Sequence, residues 1–327
     1  MSTVPPNGDL NPYGVAFVPE GFPEDGLLAP GDILVSNFNG SSGTQGTGVT
    51  ILKITPDGQT SVFFQGNPGL GLTTALGVLR SGFVLVGNVP TQTTSVTTAV
   101  PPGSLLVIDR FGNLVSTLES RSRLDGPWDL AIHEEGARAL VFVSNVLSGT
   151  VTRLDLLADE ERGGPPTVRA ETQIASGYAI RTDPAALVVG PTGLVFDARH
   201  DVLFVASTGD NTIFAIDQAR ETQNDNGTGR VAYRDDTHLH GPLALVMTPS
   251  GHLIAANGDA QNPDPSHPNF LVEFTAEGTF VSQFQLDPGG AGAAFGLGIS
   301  GTEDGTRFAA VDDNANTLNI WDVPSDD

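Results

Sequence analysis

Apolar residues along this chain come in short runs broken by Gly, Pro, Asn and Asp, and no stretch repeats at the helical spacing of about 3.6 residues. Six of the runs open on one phrase: Pro or Thr (Ala in the last copy), any residue, a small residue, Val or Leu, a small residue or Val, an apolar residue. The copies are Pro12-Tyr13-Gly14-Val15-Ala16-Phe17, Thr73-Thr74-Ala75-Leu76-Gly77-Val78, Pro127-Trp128-Asp129-Leu130-Ala131-Ile132, Pro191-Thr192-Gly193-Leu194-Val195-Phe196, Pro242-Leu243-Ala244-Leu245-Val246-Met247 and Ala294-Phe295-Gly296-Leu297-Gly298-Ile299. After each comes a turn and a second apolar run that ends at Asn37, Asn88, Asn145, Ser207, Asn257 or Asp312. A strand-like repeat every 50–65 residues or so predicts an all-β, six-bladed β-propeller with four-stranded antiparallel blades around a central channel.

In this frame strand A of each blade starts at the phrase and strand B ends at the Asn, Ser or Asp. Strand C is expected at residues 49–54, 104–109, 150–154, 212–216, 270–274 and 317–321. Strand D is expected at 60–64, 114–118 and 279–284, after turns such as Pro56-Asp57-Gly58 and Ala276-Glu277-Gly278. The sixth blade runs out of chain after Trp321. Because an unpaired edge strand invites aggregation, the segment 2–10 is expected to pair there and close the ring, making residues 1–327 a single domain. Long insertions at 38–48, 89–103 and 258–269, with the connection 176–189, gather on the face that carries the B–C loops. The opposite face has mainly 19–30 and 217–229. Binding residues favour loops borne on a rigid scaffold, so the B–C face is the expected binding face.

The stretch Gly193-Leu194-Val195-Phe196 followed by Leu203-Phe204-Val205-Ala206-Ser207-Thr208-Gly209-Asp210-Asn211-Thr212-Ile213 resembles the NHL-repeat family of six-bladed propellers, and the likeness extends over nearly the whole chain. It implies a fold rather than an activity. The chain more distantly resembles the gluconolactonase and paraoxonase propellers, which take Ca²⁺ ligands from acidic and Asn residues near the starts of inner strands. The corresponding places here hold Asn11, Asp125 and His240, against Thr74, Pro191 and Ala294. It also resembles the streptogramin-inactivating propellers, which pair Gly-Pro-containing inner strands with a His-based metal site.

Charge narrows the partners. The formal charge is −23, with 38 acidic residues against 15 basic ones and Lys53 the one lysine, so nucleic acid and anionic membrane surfaces are repelled. No apolar run is long enough for a membrane span. With no Cys there are no disulfides, thiolate metal sites or Cys nucleophiles. The start, residues 1–7, lacks the basic and apolar segments of a signal peptide; the acidic, Lys-poor composition suits a secreted or periplasmic protein whose leader is absent from this sequence.

The strand-B ends Asn37, Asn88, Asn145, Asn257 and Asp312 are expected near the channel mouth, where their oxygens suit Ca²⁺ or another divalent metal ion. The alternative is that each Asn caps the turn after its strand. Asp129 breaks the phrase, a carboxylate where the other five copies have Gly or Ala, and an acid there needs a partner. Asp125 and His240 stand at equivalent places in Leu-Asp-Gly-Pro-Trp and Leu-His-Gly-Pro-Leu, and with Asp129 they form the candidate catalytic set. Trp128, Tyr178, His238 and His267 are candidate ligand contacts; His238 and His240 are two apart, which in a strand puts both rings on one side. His133, His200 and His252 fall near A–B turns on the far face. There is no Gly-x-Ser-x-Gly elbow, phosphate loop or dinucleotide fingerprint, so no nucleotide or flavin cofactor is expected. Two function classes fit: a propeller that binds a small polar molecule, a glycan or a protein on its B–C face, or a Ca-type metal-dependent hydrolase, lactonase or lyase at the channel mouth.

Overall fold

The computed structural model describes residues 1–93, 98–120, 122–158, 163–302 and 305–324, so four residues of the 89–103 insertion lie outside the described part. Blade 1 holds β1 (Leu10–Phe17), β2 (Ile33–Asn39), β3 (Thr50–Ile54) and β4 (Thr60–Gln65). Blade 2 holds β5 (Leu72–Leu79), β6 (Phe83–Asn88), a small hairpin of β7 (Gln92–Thr93) and β8 (Thr98–Ala99), then β9 (Ser104–Asp109) and β10 (Leu114–Leu118). Blade 3 is β11 (Pro127–Glu135), β12 (Arg138–Asn145), β13 (Thr150–Leu157) and β14 (Thr167–Ser176). A second hairpin, β15 (Arg181–Asp183) and β16 (Leu187–Val189), leads into blade 4: β17 (Pro191–Asp197), β18 (Val202–Ser207), β19 (Thr212–Asp217) and β20 (Arg230–Tyr233). Blade 5 is β21 (Pro242–Met247), β22 (His252–Asn257), β23 (Phe270–Thr275) and β24 (Phe280–Gln285); blade 6 is β25 (Ala294–Thr302), β26 (Gly305–Asp312) and β27 (Thr317–Pro324). The innermost strands β1, β5, β11, β17, β21 and β25 touch in turn and β25 returns to β1, which makes the ring a six-bladed β-propeller. The described residues contain no helix.

Both faces of a blade are buried, which is why the middle strands read as continuous apolar runs. In blade 2, Val84, Val86, Leu106 and Ile108 pack against blade 1, while Leu85, Leu105 and Val107 turn to blade 3. Six such interfaces circle the molecule, and a seventh cluster lies on the axis.

The phrase has a geometric cause. In five blades its first residue pairs with the Asn, Ser or Asp at or near the end of strand B, as in Pro12 with Asn37 and Pro242 with Asn257. In blade 2 the pairing residue is Leu72, one before the phrase. The register then shifts at a bulge in every inner strand, which bends the strand toward its neighbour. A Cβ on Gly193 would stand 2.7 Å from the backbone of Ala244, and one on Gly296 would stand 1.9 Å from the Tyr13 carbonyl oxygen. The small residue is needed because adjacent inner strands almost touch.

Several details differ from the expectation. The strands β14 and β20 complete blades 3 and 4 at places the apolar pattern left unassigned. Most of their residues are exposed or half-buried, and polar ones are mixed with apolar ones such as Val231, so no apolar run marks them. The two hairpins carry too few apolar residues to stand out. In blade 6, Ser2 bridges Thr317, the Thr3 N–H donates to the Asn316 carbonyl at 2.9 Å and the Leu318 N–H to that of Met1 at 2.8 Å. Contact with β27 is limited to residues 1–3. The rest of the segment turns at Pro5–Gly8 and is fixed to blade 1 by Asp9, which accepts from the Val49 N–H at 2.9 Å and the Thr50 hydroxyl at 2.8 Å.

Candidate ligand-binding site at the channel mouth

The second residue of the phrase projects toward the axis at the B–C end of the channel. Tyr13, Trp128, Leu243 and Phe295 gather there with Phe38. Tyr13 stacks on Phe38 with ring centroids 5.0 Å apart and meets Phe295 at 4.8 Å; Trp128, fully buried, packs edge-on against Phe38 at 5.4 Å. Burial raises the Tyr13 phenol well above its ordinary range, so it stays neutral. Over this aromatic floor opens a cavity of about 530 Å³ lined by Asn11, Asp183, Asp259 and Asp313 among others.

The hairpin β15–β16 lies across the same mouth. Gln45, from the B–C loop of blade 1, donates to the Ala185 carbonyl at 2.6 Å, and Arg181 donates to the Ala260 carbonyl at 2.7 Å in the B–C loop of blade 5. The pocket is thus roofed by one connection that is held at both sides.

The charged groups lining this cavity are carboxylates, and the donors of Gln45, Thr208 and Asn314 beside them are engaged with backbone carbonyls. Asn11 and Asp259 have φ of 59° and 56°, a left-handed conformation that Asn and Asp adopt more readily than most residues. Asn11 is 6% exposed, yet its Oδ1 has no hydrogen-bond partner. Asp259 is 8% exposed; burial raises its pKa against the Asn269 N–H, which its Oδ2 accepts at 2.9 Å, the Gly292 backbone and His240, and its sealed Oδ1 has no partner in good hydrogen-bond geometry. The Asp313 carboxyl is pushed up to about 7 by burial and by the adjacent Asp312. Asp183 differs, since it lies 3.4 Å from Arg181. The Asn11 and Asp259 Oδ1 atoms are closed off from the cavity, so they weigh on stability, at about 1–3 kcal/mol for a buried acceptor without a donor, and the groups open to a ligand are the remaining carboxylate oxygens.

The five strand-end side chains have other engagements. Asn145 accepts the Asp125 N–H at 3.0 Å and donates to the Arg123 carbonyl at 3.1 Å. Asn257 does the same with the His240 N–H at 2.9 Å and the His238 carbonyl at 2.8 Å. Asn37 donates to the Thr3 carbonyl at 3.1 Å, Asn88 donates to that of Leu70 at 3.1 Å and accepts the Ser104 hydroxyl, and Asp312 accepts the Ala315 N–H at 3.1 Å. Four of the five tie the end of strand B to backbone of the segment before strand A, and Asp312 alone caps the turn after its strand as the alternative expected. None of the five lines the mouth cavity, and among the described residues no group of three or more His, Asp or Glu is placed to hold a metal ion.

The candidate catalytic set is dispersed. Asp129 lines a cavity of about 360 Å³ at the opposite end of the channel. Its Oδ2 accepts the Leu194 N–H of blade 4 at 2.9 Å and its Oδ1 the Leu130 N–H at 2.8 Å, so its partner is the next inner strand. Burial raises it to about 7. His240 is buried, with Nδ1 2.5 Å from the Asn262 carbonyl oxygen, and the half-buried Asp125 has its pKa raised by burial. Of the candidate ligand contacts, Trp128 supports the pocket floor from below. Tyr178 is buried against Phe214 with its hydroxyl 3.2 Å from the Thr228 carbonyl oxygen. His238 stacks on Phe280 and contacts Asp235 at 2.5 Å; the exposed His267 contacts Asp264 at 2.7 Å.

Tyr13, Phe38, Phe295, Asp259 and Asp313 escape the sequence reading, which looked for acids and histidines that break the repeat. The legible signal was the second place of the phrase, where Tyr13, Trp128 and Phe295 are aromatic in three blades. Asp259 and Asp313 follow the strand-B ends by one or two residues, a place that looks like ordinary turn sequence.

No family model and no curated protein matches the chain. Solved structures do. The chain is similar to a catalytically inactive variant of virginiamycin B lyase from Staphylococcus aureus with quinupristin, at TM-score 0.55 and 13% identity over 98% of this chain and 84% of that one. It is also similar to regucalcin from Agrobacterium tumefaciens, a calcium-binding protein, at TM-score 0.54 and 13% identity over 95% and 85%. A third is the major allergen Mala s 1 of Malassezia sympodialis, at TM-score 0.55 and 12% identity over 87% and 84%. At such identities the likeness shows the propeller fold.

Proposed function

We propose that this propeller binds a small polar ligand in the channel mouth on its B–C face, between the aromatic floor and the β15–β16 strap. The observation that carries this is a cavity of ligand size lined by Asp183, Asp259 and Asp313 and by no Lys, Arg or His, over an aromatic floor. The carboxylates select a donor, and the rings beneath supply apolar contact. Asn11→Gly tests the reading, because Gly keeps the positive φ at no strain and deletes only the carboxamide. Titration calorimetry with a panel of polyols, sugars and amines is expected to find a ligand whose affinity drops about tenfold or more in Asn11→Gly at similar melting temperature. Equal affinity in the two proteins would show that the ligand sits elsewhere.

The second reading is a metal-dependent hydrolase or lyase at the same mouth. In its favour are the lyase and the calcium-binding protein among proteins of like fold, and the all-oxygen character of Asn11, Asp259 and Asp313, which suits a hard cation. Against it, these residues do not form a coordination group. Metal analysis of the purified protein separates the two: stoichiometric bound metal supports this second reading.

A further inference from the structure

We propose that the ligand of the mouth pocket is a small organic cation, its ammonium group held by Asp259 and Asp313 and its carbon body set against Tyr13, Phe38 and Phe295. The inference rests on the mouth reading above and adds the charge of the ligand. Three observations point to it. First, the side chains lining the cavity include three carboxylates and no Lys, Arg or His. Arg181, outside the lining, lies within ion-pair distance of Asp183 alone. Neither Asp259 nor Asp313 forms an ion pair among the described residues; the nearest group of that kind is His240, whose charge would lower the Asp259 pKa. Second, the half-buried Asp313 carboxyl, which lines the cavity, accepts no hydrogen bond from the described residues, and an alkylammonium brings N–H or polarised C–H donors together with the missing charge. Third, the floor is aromatic. A cation near Tyr or Phe rings is attracted by their quadrupole, and more strongly in a desolvated site.

The same observations argue against a bare metal ion. A cavity of about 530 Å³ holds a molecule rather than one ion, and its acids are not grouped for coordination. An anionic ligand would meet the carboxylates and the −23 field of the whole chain. A neutral polyol would satisfy the acceptors but leave the charge of Asp259 and Asp313 unanswered.

The test is calorimetric titration of the intact protein with choline, tetramethylammonium and phenethylammonium, each beside an uncharged analogue. For choline the analogue is 3,3-dimethyl-1-butanol, which has the same shape and lacks the charge. At least one cation is expected to bind about tenfold or more tighter than its analogue, and to lose about tenfold in Asp313→Asn and in Phe295→Leu. Circular dichroism melting controls for folding of both variants. If the uncharged analogues bind as well as the cations, with Asn11→Gly abolishing both, the mouth reading stands and the cation proposal fails. If none of the three cations binds at millimolar concentration, the cation proposal fails, and sugars or polyols that do bind keep the mouth reading alive. Should no cation and no neutral compound bind, both fail. Cation binding that survives Asp313→Asn and Phe295→Leu unchanged would place the cation elsewhere and overturn the proposal.

Discussion

Asp129 shows how a residue that departs from its repeat can serve the scaffold. Where the neighbouring inner strands avoid contact by having Gly or Ala, it reaches across and accepts the Leu194 amide, joining blade 3 to blade 4. Asp129→Gly restores the repeat but orphans that N–H, so it is expected to lower stability by about 1–3 kcal/mol, measured by chemical denaturation. A neutral or stabilising result would mean the bond adds nothing. The carboxyl also gives stability a pH dependence. Its folded pKa, pushed up to about 7, exceeds the ordinary value of 3.8, so between those values the native state holds a proton the unfolded chain has lost. The stability it contributes is full below about pH 4 and is lost as pH rises through 7. Asp313 acts with the same sign. Asp129→Asn is expected to flatten the melting-temperature profile between pH 4 and 8, and an unchanged profile would count against this assignment. Asp235 works oppositely: held at about 2 with His238 and Tyr233 as partners, it loses its contribution as pH falls below 4.

Among the elements, the closure of blade 6 and the β15–β16 strap matter most. Residues 1–3 bond to Asn316 and Leu318, and Asp9 fastens the following turn to blade 1, so the segment joins the last blade to the first. Deleting residues 1–9 is expected to lower the melting temperature by several degrees. No change in melting temperature would show the ring holds without it. The inner and middle strands were readable because burial on both faces of a blade makes them continuous apolar runs between turn residues. The strap was not: in Arg181–Asp183 and Leu187–Val189 only backbone pairing and the Gln45 and Arg181 contacts fix the hairpin, none of which leaves a periodic trace.

For the whole molecule, six interblade cores close a ring, and the two ends of its channel are where side chains from more than two blades meet, whereas the wider groove lined by Phe284, Phe308 and Trp321 lies between blades 5 and 6 alone. The sequence indicated which face has the longer loops, and so the mouth with the larger cavity. It could not indicate that Asn11, Asp259 and Asp313, from blades 1, 5 and 6, share that cavity, because the meeting depends on ring closure rather than on local pattern. The most direct test is a paired comparison of the two ends. Ala186→Trp places a large side chain from the strap into the B–C mouth, and Asp129→Asn alters the opposite one. With any ligand found in the survey of polyols, sugars and amines, calorimetry is expected to show binding lost in Ala186→Trp and kept within about twofold in Asp129→Asn. Binding kept in Ala186→Trp and lost in Asp129→Asn would contradict the account and move the site to the other end of the channel.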